Sequence, residues 1–294
     1  MPPATHASRE RALALAVAAL AAGVILSFGR LHVDNNDASL YTLVAQDLAR
    51  QRTPFLLHNP PMPGLAPGFY EHPPLWFWVQ ALALGAGLDL RLLGAACGVL
   101  TVVATFLAGS ALVGARAAFL GSVLLLATDA FSAYQPMARL DPPLTLACAA
   151  SIAILVRSGG RPAALLAGGA IAGLGVLVKG PPALAAPLSA ALLLAALGRR
   201  DVLRRPGAWL AVAGGTALPV LAFLAHDQIR LGGAWWQHYV LEQVLASAAG
   251  GRRGSGGPGA LWLVSHGRLM HVWPLAAVAL ARPALGRWAA ALPP

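Results

Sequence analysis

Charge is what this sequence has least of. Only 11% of its 294 residues are Asp, Glu, Lys or Arg, against about one quarter in soluble domains. Hydrophobic residues make up 57%, and the mean hydropathy is +0.66. A fold this apolar has no surface to offer water, which excludes a soluble globular domain and leaves lipid as the solvent. Acids are scarcer than bases, 11 against 21 Lys and Arg, for a net charge of +10. In a soluble protein that excess would suggest nucleic acid, but no interleaving of basic and aromatic residues accompanies it. The excess is mostly Arg in short stretches between apolar runs, the pattern that orients membrane proteins. The two cysteines, Cys97 and Cys148, lie inside apolar runs and read as small packing residues, with no disulfide or metal site inferred from them. No internal repeat is evident, and Asp129 is the one acid inside a span, which argues against a transporter built on mid-membrane charges and repeated halves.

A spanning helix needs about 20 mostly apolar residues. The candidates are roughly 12–29, 92–113, 117–136, 143–157, 162–178, 182–198, 207–225 and 261–281. The first has no clean small-x-small cleavage site after it and reads as a retained signal anchor. The run 74–88 is short, and its Trp76, Phe77 and Trp78 suit an interface, so it is expected to lie in the membrane surface. The expectation is therefore an all-α polytopic membrane protein. It has about eight transmembrane helices and amphipathic interfacial helices in the first outer loop. Residues 1–294 form a single membrane domain with no soluble C-terminal domain.

With both ends inside, the inner connections carry Arg116, Arg157 and Arg161, the run Arg199–Arg205, and Arg282 and Arg287. Each is a short basic loop, as the positive-inside rule asks. The outer side receives two long loops, about 30–90 and 226–260, and short ones near 137–142 and 179–181. Asp34, Asp37, Asp47, Glu71, Asp89, Asp141, Asp227 and Glu242 all fall there, while Glu10 and Asp201 fall inside. The low-complexity stretch 250–259 reads as a mobile loop or linker.

Four elements on that outer side carry residues able to do chemistry. Asp37 precedes Tyr41 by four at the head of a helical pattern (Leu40, Leu43, Val44, Ala45, Leu48), where an Asp is often a cap. Glu71-His72-Pro73-Pro74 opens the interfacial helix, and its Glu–His pair can bind a metal, accept a proton or face water. Arg139-Leu140-Asp141-Pro142-Pro143 enters a span from outside, where Arg139 and Asp141 can pair. Lys179-Gly180-Pro181-Pro182 ends another span, where Lys179 can snorkel or serve as a point charge for a phosphate.

In this order the elements resemble the polyprenyl-phosphate-sugar-dependent glycosyltransferases of the C-type superfamily. The likeness is greatest to the branch of lipid A aminoarabinose transferase and the protein O-mannosyltransferases, and covers roughly residues 10–280. Asp37-Ala38-Ser39-Leu40-Tyr41 matches that branch's acidic residue with Tyr four on. Tyr70-Glu71-His72-Pro73-Pro74-Leu75-Trp76 matches its Phe-Glu-Lys-Pro-Pro-like element, with His72 where Lys is usual. Leu140-Asp141-Pro142 matches its Leu-Asp-Pro element, and Val178-Lys179-Gly180-Pro181 its Thr-Lys-Gly-like element. Two departures stand out. A second acid common after the first is here Ala38, and the later loop with His238, Glu242 and Gln243 matches only loosely. Relatives also continue for several more spans, and many end in a soluble outer domain.

The resemblance implies an inverting hexosyl or pentosyl transferase in a bacterial inner membrane, with its active site on the periplasmic face. It would move a sugar from a polyprenyl-phosphate donor to an acceptor lipid, glycan or protein, with no nucleic acid partner. It implies Asp37 and Asp141 as the catalytic carboxylates, Asp37 as the base. Lys179 and Arg139 would bind the donor phosphate, and Glu71, His72 and Tyr41 substrate or metal. No cofactor is demanded; a divalent metal is left open, with Glu71 and His72 its candidate ligands. The lipid tail is expected in a groove between spans, with Trp76 and Trp78 near its headgroup. The alternatives are an inactive or truncated homologue acting as an assembly partner, and a lipid or solute transporter.

Overall fold

A computed structural model describes residues 6–28, 36–51, 57–59, 68–199 and 201–245. Among these the structure is helical, apart from one isolated antiparallel bridge between His58 and Gly68. Helices α1 (His6–Phe28), α4 (Leu90–Val113), α8 (Pro162–Lys179) and α10 (Pro206–Leu231) are each long and apolar enough to cross a bilayer. They agree with the runs 12–29, 92–113, 162–178 and 207–225, although α10 continues to Leu231, past the expected end. Helix α7 (Asp141–Arg157) and the 3-10 turn Pro181–Leu184 followed by α9 (Ala185–Ala196) occupy the runs 143–157 and 182–198. The expected span 261–281 and the stretch 250–259 lie outside the described residues.

The run 117–136 is not one helix. Helix α5 (Ala115–Leu126) stops at Leu126 and a short α6 (Asp129–Ser132) follows. The cause is local: the Thr128 hydroxyl donates to the Leu125 carbonyl at 2.7 Å and the Ser132 hydroxyl to the Leu126 carbonyl at 2.6 Å. The Ser132 hydroxyl satisfies a carbonyl that the helix end leaves open, and the Thr128 hydroxyl shares the Leu125 carbonyl with its own amide, so both compete with continuation of the helix.

The first long connection holds the two expected extra helices, α2 (Asn36–Gln51) and α3 (Leu75–Gly85). At 1.5 Å per residue α3 is about 16 Å long, too short for a hydrocarbon core of about 30 Å. Helix α2 buries Tyr41, Val44, Ala45 and Leu48. Leu43, expected on the same face, is 48% exposed, because the buried stripe runs through 41, 44, 45 and 48 at helical spacing.

Close backbone contact locks α8 to α10. A Cβ on Gly169 or Gly173 would collide with the Val212 or Thr216 carbonyl of α10, and one on Gly215 with the Leu166 carbonyl of α8. Small residues four apart let membrane helices approach in this way. At one end of the bundle the Glu10 carboxylate binds Arg157 at 2.9 Å and the Ser110 hydroxyl at 2.7 Å, tying α1, α4 and α7 together. Arg199 donates to the Ala111 carbonyl at the same end. The candidate residues gather at the opposite end, where α7 begins and α8 terminates.

Candidate functional site

Each site residue is delivered by the end of a helix. Asp37 sits in the first turn of α2 and Asp141 in the first turn of α7, where the helix dipole favours negative charge. Pro142 and Pro143 suit that start, since the first helical residues lack N–H partners in any case. Lys179 closes α8, where the dipole favours a cation. Arg139 stands on the turn before α7, which lies directly on α4: a Cβ on Gly94 would strike the Gln135 and Met137 carbonyls.

These four residues, of which only Arg139 and Asp141 were expected to pair, form one chain of alternating charge. The Arg139 guanidinium donates from Nη2 to Asp37 Oδ2 at 3.0 Å. Its Nε lies 3.0 Å from Asp141 Oδ2, and Asp141 Oδ1 accepts from the Lys179 ammonium. The Nε contact is a close charge pair whose N–H is not aligned for a hydrogen bond. Two carboxylates and two cations leave the group near neutral. Arg139 is held in addition over the Tyr134 ring, 5.1 Å from its centroid, a favourable cation–π distance. The members of the chain differ in exposure. The Arg139 side chain is 16% exposed and that of Asp37 52%, so Asp37 is the member that solvent or a second substrate reaches most readily. Lys179 is the sole lysine in the sequence.

A second group stands beside the first. The Tyr41 hydroxyl and His72 Nε2 are 2.9 Å apart, and Tyr41 meets Phe69, His72 and Phe77 edge-on. Burial pushes the Tyr41 phenol well above its ordinary range, and the negative charges of Asp37, Glu71 and Asp141 push it further, with Arg139 opposing. Glu71 is exposed. Among the described residues no three His, Cys, Asp or Glu side chains converge as metal ligands, so Glu71 and His72 gain no third ligand there. Trp76, expected near a headgroup, is instead 6% exposed within the core that contains Tyr41, Phe69, Phe77, Leu140 and Val178. Trp78 is half-buried and lines a cleft of about 690 Å³ between α2 and α3, with Leu48, Ala49, Ala81, Leu82, Gly85 and Ala86.

The segment after α10 closes over both groups, and here the sequence reading missed residues. Asp227, expected in an outer loop, is buried near the end of α10, where its carboxylate accepts from the Trp235 and Trp236 amides at 3.1 Å each. A buried carboxylate is costly unless hydrogen-bonded, and these amides fold the chain back at Gly232 and Gly233. The π-helical segment Trp236–Leu245 then brings His238 into a stack on Tyr70, with ring centroids 4.9 Å apart, and Gln243 within 3.4 Å of the Tyr70 carbonyl. His238 pairs with Glu242 at 3.0 Å, which lowers the Glu242 carboxyl below its ordinary value. Tyr239 reaches the Lys179 carbonyl. Neither Asp227 nor Tyr239 belonged to a motif; the Gly-Gly turn before two tryptophans was the available signal.

A helical bundle with several membrane-crossing lengths, and with two cations and two carboxylates paired at one end, defines an integral membrane protein. Residues 71–226, more than half of the chain, match the family described as dolichyl-phosphate-mannose-protein mannosyltransferase, and the chain belongs to that family. Its fold is similar to crystal structures of ArnT from Cupriavidus metallidurans. With the form bound to undecaprenyl phosphate the TM-score is 0.59 at 19% identity, covering 80% of this chain and 44% of that one. With the apo form it is 0.55 at 23% identity, covering 81% and 43%. The chain thus spans less than half the length of those proteins. It matches none of the curated proteins.

Proposed function

We propose that this chain transfers a sugar from a polyprenyl-phosphate donor to an acceptor hydroxyl or amine at the outer face of the membrane. The observation that carries the reading is the ion-paired chain Asp37–Arg139–Asp141–Lys179, assembled from three distant segments at one end of the bundle. Family membership supports a lipid-phosphate-sugar donor, as does the shared fold with an ArnT bound to undecaprenyl phosphate.

In this mechanism Lys179 and Arg139 take the donor phosphate, and Asp141 holds both cations at the spacing they need. Fixed cations aimed where charge grows in the transition state are an effective means of lowering its energy. Asp37 removes the acceptor proton as the acceptor attacks the anomeric carbon opposite the phosphate. The new bond forms as the bond from that carbon to the phosphate oxygen breaks, the proton stays on Asp37, and the anomeric centre inverts. The apolar α2–α3 cleft, beginning about two turns along α2 from Tyr41, suits the prenyl tail.

The test is release of undecaprenyl phosphate by the purified chain from an undecaprenyl-phosphate-linked pentose or hexose, with the product's anomeric configuration read by NMR. Inverted product is expected. A chain that neither binds undecaprenyl phosphate nor releases it from the donor refutes the reading. The orientation is tested by reporter fusions. One after Arg200 should read cytoplasmic and one within 245–257 external, because the bundle end with Arg157, Arg161 and Arg199 is the basic one. An external signal at Arg200 would invert the topology and remove the site from the outer face.

A further inference from the structure

The segment after α10 reaches the backbone carbonyl of Lys179. The Tyr239 hydroxyl donates to it across 3.4 Å. That carbonyl is one of the last in α8, which the helix leaves without partners of its own. The next residue, Gly180, has φ +88°, and a Cβ there would occupy the position of the Tyr239 hydroxyl. Gly180 therefore serves two purposes: it turns the chain in a conformation other residues resist, and it leaves room for Tyr239. The tyrosine is itself fixed. Its ring meets Trp235, which is 1% exposed and whose amide is held by Asp227. Burial moves its phenol up to about 12, so it remains a donor at neutral pH.

Lysine carries its charge on a flexible four-carbon stem. The place of the ammonium depends on its partner, Asp141, and on how firmly its backbone is held. We infer that Tyr239 is a positioning residue for Lys179, fixing the end of α8 so that the ammonium can exchange Asp141 for a phosphate oxygen without the helix end fraying. This rests on the proposed phosphate role of Lys179. It adds that the segment after α10, through Tyr239, sets the affinity of the site for a lipid phosphate it does not itself touch.

Because Lys179 is the only lysine, acylation by an amine-reactive ester, read by peptide mass spectrometry, reports its state directly. Undecaprenyl phosphate should slow that acylation in the parent protein and give a dissociation constant from the concentration needed. In Tyr239→Phe the lipid should bind about two- to tenfold more weakly, the scale of one hydrogen bond, and by more than any shift in melting temperature accounts for. Gly180→Ala, which displaces Tyr239, should weaken binding in the same direction, and should add less in a Tyr239→Ala background, where only the backbone strain at φ +88° remains. Protection in the parent with equal lipid affinity in Tyr239→Phe overturns the positioning role and leaves the phosphate role of Lys179 standing. Loss of affinity that tracks a fall in melting temperature overturns it too. No protection in the parent removes the phosphate role and this inference with it. Should Gly180→Ala fail to fold, Tyr239→Phe decides alone.

Discussion

Asp37→Asn separates chemistry from structure at this site. Asn caps and begins helices about as well as Asp, and it keeps an oxygen to accept from Arg139. The Asp37 side chain is 52% exposed, so its ion pair is screened, and the change should cost less than about 1 kcal/mol of stability. A general base contributes about a hundred- to ten-thousand-fold in rate, equivalent to about 3 to 5.5 kcal/mol of activation free energy. Stability and rate should therefore part clearly. The assay measures kcat for transfer from an undecaprenyl-phosphate sugar beside the affinity for undecaprenyl phosphate. The contact with Arg139 at 3.0 Å supplies a rival explanation, that Asp37 only orients the guanidinium. In that case the Asn variant would lose lipid affinity and retain most of kcat. A base gives the reverse, with kcat lost and affinity kept. A variant as active as the parent, or one impaired only in lipid binding, refutes Asp37 as the base.

Lys179→Ala and Arg139→Ala should each weaken undecaprenyl phosphate binding, by about tenfold or more for a lost charge-assisted contact, as measured by equilibrium titration. Lys179→Arg should keep part of it, since a cation remains but its fork is wider than the ammonium's point charge. Tyr41, with its phenol raised, holds its proton more tightly folded than unfolded. It therefore contributes stability that is fully present below its ordinary value of about 10 and is lost as pH rises above it. Denaturation midpoints between pH 9 and pH 11 (about one unit either side of that value) should fall in the parent and fall less steeply in Tyr41→Phe. Gly173→Leu should separate α8 from α10 at their point of backbone contact. Overpacking of this kind costs about 1–3 kcal/mol, visible as a lower melting temperature in detergent.

The candidate residues were legible because each carries a local signature: an acid or a proline at a helix start, a cation followed by glycine at a helix end. The four motifs that carry them are separated along the chain, and nothing local joins them. Asp37 and Arg139 are 102 residues apart and Asp141 and Lys179 are 38 apart, so their pairing is a consequence of how α2, α7 and α8 meet. Asp227 and Tyr239 were not legible. A carboxylate and a phenol in an apparent loop have no periodicity, and their importance arises from burial against Trp235 and Gly180.

Composition and hydropathy by themselves determined that this is a helical membrane protein, because in lipid a backbone must satisfy its own hydrogen bonds within each segment. They also separated basic connections from acidic ones, since charge bias is a property of loops counted one at a time. Helix ends were set locally as well, including the early end of α5 at Thr128 and Ser132, which hydropathy alone did not show. Only the tertiary structure decided that Asp141 stands between two cations, that Trp76 is core, and that the segment after α10 returns to hold Lys179. Each of these depends on groups from distant segments coming into contact: ion pairs for Asp141, apolar packing for Trp76, and a hydrogen bond to a backbone carbonyl for Lys179. That proximity is set by packing between helices, to which no single stretch of the chain has access.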